Sequence, residues 1–109
     1  MLEILEYLTP EGQSPFRRWF DRLNAQAAAR IATALTRIEL GNLANAKSVG
    51  QGVLEYRIDY GPGYRLHFGR DGRTLVILLA GGSKARQQKD IEAARMRWAD
   101  YKARRGEET

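Results

Sequence analysis

Arg57, Arg65 and His67 stand close together in this chain, with Glu55 just ahead of them. Guanidinium groups bind phosphate through a planar fork of donors. An unperturbed imidazole titrates near pH 6.5, which suits it to take or give a proton at neutral pH. Glu55 offers a second base, or an anchor that orients Arg57. Lys47 and Lys84 add cations further along the chain. Together these cations and the titratable ring look built to hold a phosphate backbone.

The elements around them are expected to align these side chains. Leu54 to Ile58 and Tyr64 to Phe68 each alternate apolar and polar residues, the period of a half-buried strand. Leu54, Tyr56, Ile58, Tyr64, Leu66 and Phe68 then share a core face, while Glu55, Arg57, Asp59, Arg65 and His67 share an open one. A three-residue turn, Gly61-Pro62-Gly63, sets Tyr60 against Tyr64, Asp59 against Arg65 and Arg57 against His67. Tyr64 faces the core in this register, which lowers its claim to a direct role. The alternative is an ordinary solvated sheet face, with Asp59 and Arg65 a cross-strand pair worth ~0.2–1 kcal/mol.

The rest of the chain reads as an α+β domain. Leu2 to Leu8 predicts a first strand. Ser14 and Pro15 start a helix with the stripe Phe16, Trp19, Phe20 and Leu23, read as core. Asn24 caps a second helix whose buried side is Ala27, Ala28, Ile31, Leu35 and Ile38, ended by Gly41. Arg17, Arg18, Arg22, Arg30 and Arg37 fall on the outer faces of this helix pair. Positions 41 to 52 read as a loop carrying Lys47. Asp71-Gly72 predicts a two-residue hairpin turn, pairing Leu75 with Phe68 and setting Val76 and Leu78 beside His67 and Arg65. Thr74 to Ala80 reads as a central strand buried on both sides. Ser83 caps a last helix with Ile91, Ala94, Trp98 and Tyr101 on its buried side, and Lys84 lies in its first turn.

Composition narrows the function classes. At 109 residues the chain fits one domain. It has no cysteine and one histidine, so neither a disulfide framework nor a thiolate or imidazole-rich metal site is expected. No cofactor is expected. No run approaches the ~18 apolar residues of a membrane span. The start, Met1 to Glu6, lacks the basic flank and cleavage site of a signal peptide. A cytoplasmic protein with no membrane partner is the expectation. The formal charge of +5, with most of the 18 basic residues arginine, favours an acidic partner.

Particular blocks carry a resemblance over nearly the whole chain. They are Phe16-Arg17-Arg18-Trp19-Phe20-Asp21-Arg22-Leu23, Ile38-Glu39-Leu40-Gly41-Asn42, and Lys47-Ser48-Val49-Gly50-Gln51-Gly52-Val53-Leu54-Glu55-Tyr56-Arg57-Ile58. Tyr60-Gly61-Pro62-Gly63-Tyr64-Arg65, Leu79-Ala80-Gly81-Gly82-Ser83-Lys84 and Gln87-Gln88-Lys89-Asp90-Ile91-Glu92-Ala93-Ala94 complete the set. The chain resembles the RelE/ParE superfamily of bacterial toxins, and within it the HigB-like, phage-derived addiction-module killer proteins. The resemblance implies a RelE-like fold: an N-terminal strand and helix hairpin packed on an antiparallel sheet, with a C-terminal helix. One toxin domain would span 1–104, followed by a charged, frayed tail at 105–109.

The resemblance also implies the toxin of a type II toxin–antitoxin system, acting as a metal-independent, ribosome-dependent mRNA endoribonuclease that inhibits translation. Its partners would be mRNA, the ribosome and a cognate antitoxin, a HigA-like helix-turn-helix protein encoded nearby. Arg57 and Arg65 match arginines that recur on the family's central strands. They, with His67 and Glu55, form the expected catalytic set; Lys47, Lys84, Tyr64 and Arg86 form the expected RNA-binding set. The lysine cluster, or the catalytic tyrosine or histidine, that several RelE-type toxins carry near the C-terminus is replaced here by a longer final helix. Ser83 stands where the subfamily often has an acidic residue. The alternatives are a ParE-like gyrase poison without nuclease activity, or a non-catalytic RNA-binding module.

Overall fold

The computed structural model describes residues 1–108, the last two by their backbone alone. Strand β1 (Glu3–Glu6) is followed by helices α1 (Pro15–Phe20) and α2 (Ala25–Glu39). Strands β2 (Ala46–Ser48), β3 (Val53–Ile58), β4 (Tyr64–Asp71) and β5 (Leu75–Ser83) come next. A 3-10 turn (Lys84–Arg86) leads into α3 (Gln87–Glu108). Of the charged tail expected at 105–109, residue 109 lies outside the described residues, and α3 takes in the positions before it.

Both predicted helix starts form. The Ser14 side chain accepts a hydrogen bond from the Arg17 amide, with Pro15 in the first turn, and Asn24 accepts from the Ala27 amide. Each cap satisfies an amide that the helix leaves without a partner, which contributes about 1 kcal/mol. Ser83 precedes the 3-10 turn but makes no capping hydrogen bond with its side chain.

The five strands form one mixed sheet in the order β1-β5-β4-β3-β2. β1 runs parallel to β5, so the sheet is not antiparallel throughout. The segment read as a loop contains β2, whose Lys47 lies opposite Glu55. The tight turn that returns it to β3 uses positive φ at Gly50, Gln51 and Gly52, a conformation that suits glycine.

Two registers differ from expectation. Ile58 pairs with Tyr64, Arg57 with Arg65 and Glu55 with His67. The connection is therefore longer than Gly61-Pro62-Gly63; it includes Asp59 and Tyr60 and closes through a Gly63 amide to Tyr60 carbonyl hydrogen bond. A shift by an even number leaves the faces unchanged, so the parity argument survives.

On the far side of β4, Asp71 pairs with Leu75 and Phe68 with Leu78. Val76 and Leu78 thus pack with Leu66 and Phe68, not beside His67 and Arg65 as expected. A bulge between Phe68 and His67 then shifts the register, so that His67 faces Ala80 and Arg65 faces Gly82.

Both faces of the sheet are covered. Phe16, Ile31, Ala34 and Ile38 of the helix hairpin pack against Tyr56, Ile58, Leu66, Phe68, Val76 and Leu78. Trp19, Phe20 and Leu23 add to that core, as their spacing predicted. On the opposite face, Ala94 and Trp98 of α3 pack on Val53, Ile77, Leu79 and Ala80. The residues predicted for the open face therefore lie on the side that α3 covers.

Candidate functional site

Burial changes sharply along β3. Val53 sits beneath the Trp98 cluster, Glu55 is fully buried, and Arg57 is exposed. The end of α3 nearest β5 produces this gradient, because Gln87 reaches down onto Glu55. The Gln87 amide donates to both carboxylate oxygens, at 3.0 and 2.9 Å. The expectation of a solvated polar face is corrected accordingly: Glu55 and His67 are 0% exposed and Arg65 5%.

The buried groups form one network around Glu55. His67 Nε2 lies 3.0 Å from Glu55 Oε2. Arg65 Nε is 3.6 Å from Oε1, and the Lys47 ammonium 4.0 Å from the same oxygen. Burial would raise the Glu55 carboxyl, but hydrogen bonds from His67 and Gln87 and the nearby positive charge outweigh it and hold it below its ordinary value. Burial pushes the His67 imidazole down more strongly than Glu55 lifts it. The pair is a neutral imidazole donating to a carboxylate. Glu55 acts on Arg65 across the strand pair, not on Arg57.

Beyond this network the sheet opens into a cleft of about 510 Å³ lined by Lys47, Arg57, Asp59, Arg65 and Lys84, among others. β2, β3, β4 and the 3-10 turn each supply one of its cations. Lys84 is held there by its amide, which donates to the Gly63 carbonyl at 2.7 Å. Gly63 has φ +80°, and a side chain built there would meet Arg65 and Lys84. Both contacts would lie at ordinary van der Waals distances, so it is the positive φ of this turn that calls for glycine.

Four of the expected site residues share this cleft: Lys47, Arg57, Arg65 and Lys84. Glu55 and His67 stand behind Arg65, fully buried and off the lining of this cleft. Tyr64 sits on the other face, edge-on to Trp19 with ring centroids 5.9 Å apart. Arg86 lines a separate cleft with Trp19, Arg18, Arg22 and Arg97.

Sequence reasoning missed Gln87 as the cap on Glu55, and it missed Asp90. Asp90 Oδ2 is buried without a hydrogen-bond partner and packs so closely on β5 that a Cβ at Gly82 would lie 1.9 Å from it. A Cβ at Gly81 would lie 2.2 Å from the Trp19 ring on the opposite face. The Gly-Gly pair was the available signal: it marks a strand approached from both sides. Among the described residues no group of three or more His, Cys, Asp or Glu could hold a metal ion. No helix is long and apolar enough to cross a membrane.

The chain is thus a mixed α+β protein with a five-strand sheet, a C-terminal helix and a cation-lined cleft. Residues 18–101 match the family described as phage derived protein Gp49-like (DUF891), and the chain belongs to that family. The matched span includes every cation of the first cleft. A protein of Haemophilus influenzae, described as uncharacterized, is 43% identical over 82 residues covering 74% of this chain and 83% of that one.

Proposed function

We propose that this protein is the toxin of a type II toxin–antitoxin system, with a RelE-like, HigB-like fold, and that it cleaves mRNA without a metal in the ribosomal context. Family membership supports the toxin reading, since the Gp49-like family is one of addiction-module toxin-like proteins. One observation carries the nuclease reading. Arg57 and Arg65 stand directly opposite each other on adjacent strands, where like charges repel, and they share a cleft with Lys47 and Lys84. Arg57 has no carboxylate partner within 4.0 Å among the described residues. An anionic ligand removes that repulsion.

In this reading the ribose 2′-oxygen attacks the adjacent phosphorus, the P–O5′ bond breaks, and a 2′,3′-cyclic phosphate and a 5′-hydroxyl form. Arg57 and Arg65 take the charge that develops on the phosphoryl oxygens, where preorganised donors are most effective. Lys47 and Lys84 steer the backbone. Asp59, the one carboxylate on the cleft lining, takes the 2′-hydroxyl proton. Water or a cleft ammonium returns a proton to O5′. Glu55 and His67 position Arg65. Partners in this scheme are mRNA, the ribosome and a HigA-like antitoxin, and the site of action is the cytoplasm.

Primer extension on mRNA in a coupled translation reaction tests this. Removing one donor to a transition-state oxyanion costs roughly 10²–10³ in rate, so Arg57→Ala should cut cleavage about 100-fold. Arg57 is exposed, so the variant's unfolding free energy in urea should stay within about 0.5 kcal/mol of wild type. Intact mRNA with both proteins, accompanied by accumulating gyrase–DNA complexes, would refute the nuclease reading in favour of a gyrase poison.

A further inference from the structure

The 3-10 turn separates two clefts. Lys84 lines the first, while Arg86, two residues on, lines the second, of about 440 Å³. Four chain segments converge on this second cleft: Arg18 from α1, Arg22 from the turn after it, Arg86, and Arg97 from α3. None of these arginines has a carboxylate within 4.0 Å among the described residues. Arg97 donates to the Leu79 carbonyl at 2.8 Å, which fixes its guanidinium at the strand. One acid, Asp90, lies on the lining against these four arginines. Trp19 forms a wall of the cleft.

Unneutralised arginines beside an indole suit a single strand of nucleic acid: forked donors for phosphates and an aromatic surface for a base. An acidic peptide would use the cations but not the indole. The two clefts flank one 3-10 turn, with Lys84 on one and Arg86 on the other, which also favours a polymer with regularly spaced charge. We propose that the second cleft binds the single-stranded RNA flanking the phosphate held by Arg57 and Arg65, so that substrate crosses the Lys84–Arg86 turn and runs past Trp19 to Arg18, Arg22 and Arg97. This rests on the nuclease reading of the first cleft and extends its substrate to an oligonucleotide several residues long.

The test uses 2′-O-methyl RNA, which lacks the nucleophile and stays intact. Oligonucleotides of about four and about ten residues are compared by fluorescence anisotropy in low salt, with intrinsic tryptophan emission read in parallel. The longer one should bind at least tenfold tighter and quench emission. Trp19→Phe should abolish the quench, since the other tryptophan, Trp98, is buried between α3 and the sheet. Arg22→Ala with Arg86→Ala alters exposed residues. It should remove the length advantage, leave the short oligonucleotide unaffected, and lower the salt slope by about 1.4.

Equal affinity for both lengths, with binding still lost in Arg57→Ala, would overturn the extended track and leave the nuclease reading intact. A poly-glutamate peptide that depends on Arg22 and Arg86, with no such length dependence for RNA, would overturn it in favour of an acidic protein partner. Wild-type protein that binds neither RNA would overturn both readings.

Discussion

His67 is the chain's one histidine, which makes its titration separable from every other group. Burial holds the imidazole below its ordinary value of 6.5 despite the hydrogen bond to Glu55. The unfolded chain therefore takes up a proton near pH 6.5 that the folded chain refuses until lower pH. Stability is full above pH 6.5 and falls as pH drops toward the folded value, by up to about 1.4 kcal/mol per pH unit for one proton.

Glu55 is shifted down from an ordinary 4.5, so its contribution is lost only below that value, in a separate window. Asp90, which interacts with His67, is shifted up by burial and works in the opposite sense, gaining stability as pH falls toward its unfolded value of 3.8. It opposes the His67 slope, and the variant Asp90→Asn separates the two contributions. Urea unfolding followed by circular dichroism at pH 7.5, 6.5 and 5.5 reads the effect. With a slope of roughly 1 kcal/mol per molar urea for a domain this size, the midpoint should fall by up to about 1.4 M per pH unit. His67→Gln keeps a donor for Glu55 and removes the titration, so its midpoint should be nearly flat over the same range. An equal fall in His67→Gln, or a wild-type midpoint that rises on acidification, would refute this account.

Removing the centre of the network should cost far more than removing its titration. Glu55→Ala leaves Arg65 buried without its counter-charge and Gln87 without an acceptor, and should destabilise by about 3–5 kcal/mol in urea at pH 7. Gly82→Ala places a methyl against Asp90 Oδ2 and should cost about 1–3 kcal/mol. Adding Asp90→Ala should recover most of that loss, a coupling that a double-mutant cycle measures directly. Ser14→Ala removes the α1 cap and should lower the thermal midpoint by about 4–8 °C, corresponding to ~1 kcal/mol.

Local chemistry was the legible part of the fold. Ser14, Asn24 and the alternations in β3 and β4 are short-range signals, and the helix caps and strand faces followed from them. Parity put Arg57 and Arg65 on one face, whereas Lys47 and Lys84 join them through β2 and the 3-10 turn, which parity does not reach. What failed depended on long-range partners. Nothing near Glu55 and His67 announces that Gln87 will cover them, and the weak amphipathicity of α3 hides which sheet face it takes. The β4–β5 error came from treating Asp71-Gly72 as the whole turn. Its consequences reached every side chain as far as Phe68, where a bulge restored the pairing of faces that sequence alternation alone cannot foresee. β2 was missed because three residues carry too little periodicity, although the Gly50-Gln51-Gly52 turn beside them pointed to a reversal.

The strand order has a consequence for how copies of this chain meet one another. The longest strands, β4 with 8 residues and β5 with 9, are interior. The two edges are the shortest, β1 with 4 residues and β2 with 3. Unpaired amides and carbonyls on an edge are templates for intermolecular pairing, and short edges offer few of them. β2 further presents a charged Lys47. The apolar run Leu75 to Leu78 is thus paired on both sides, by β1 and β4, once folding is complete, and beyond it the Arg97 guanidinium takes the Leu79 carbonyl.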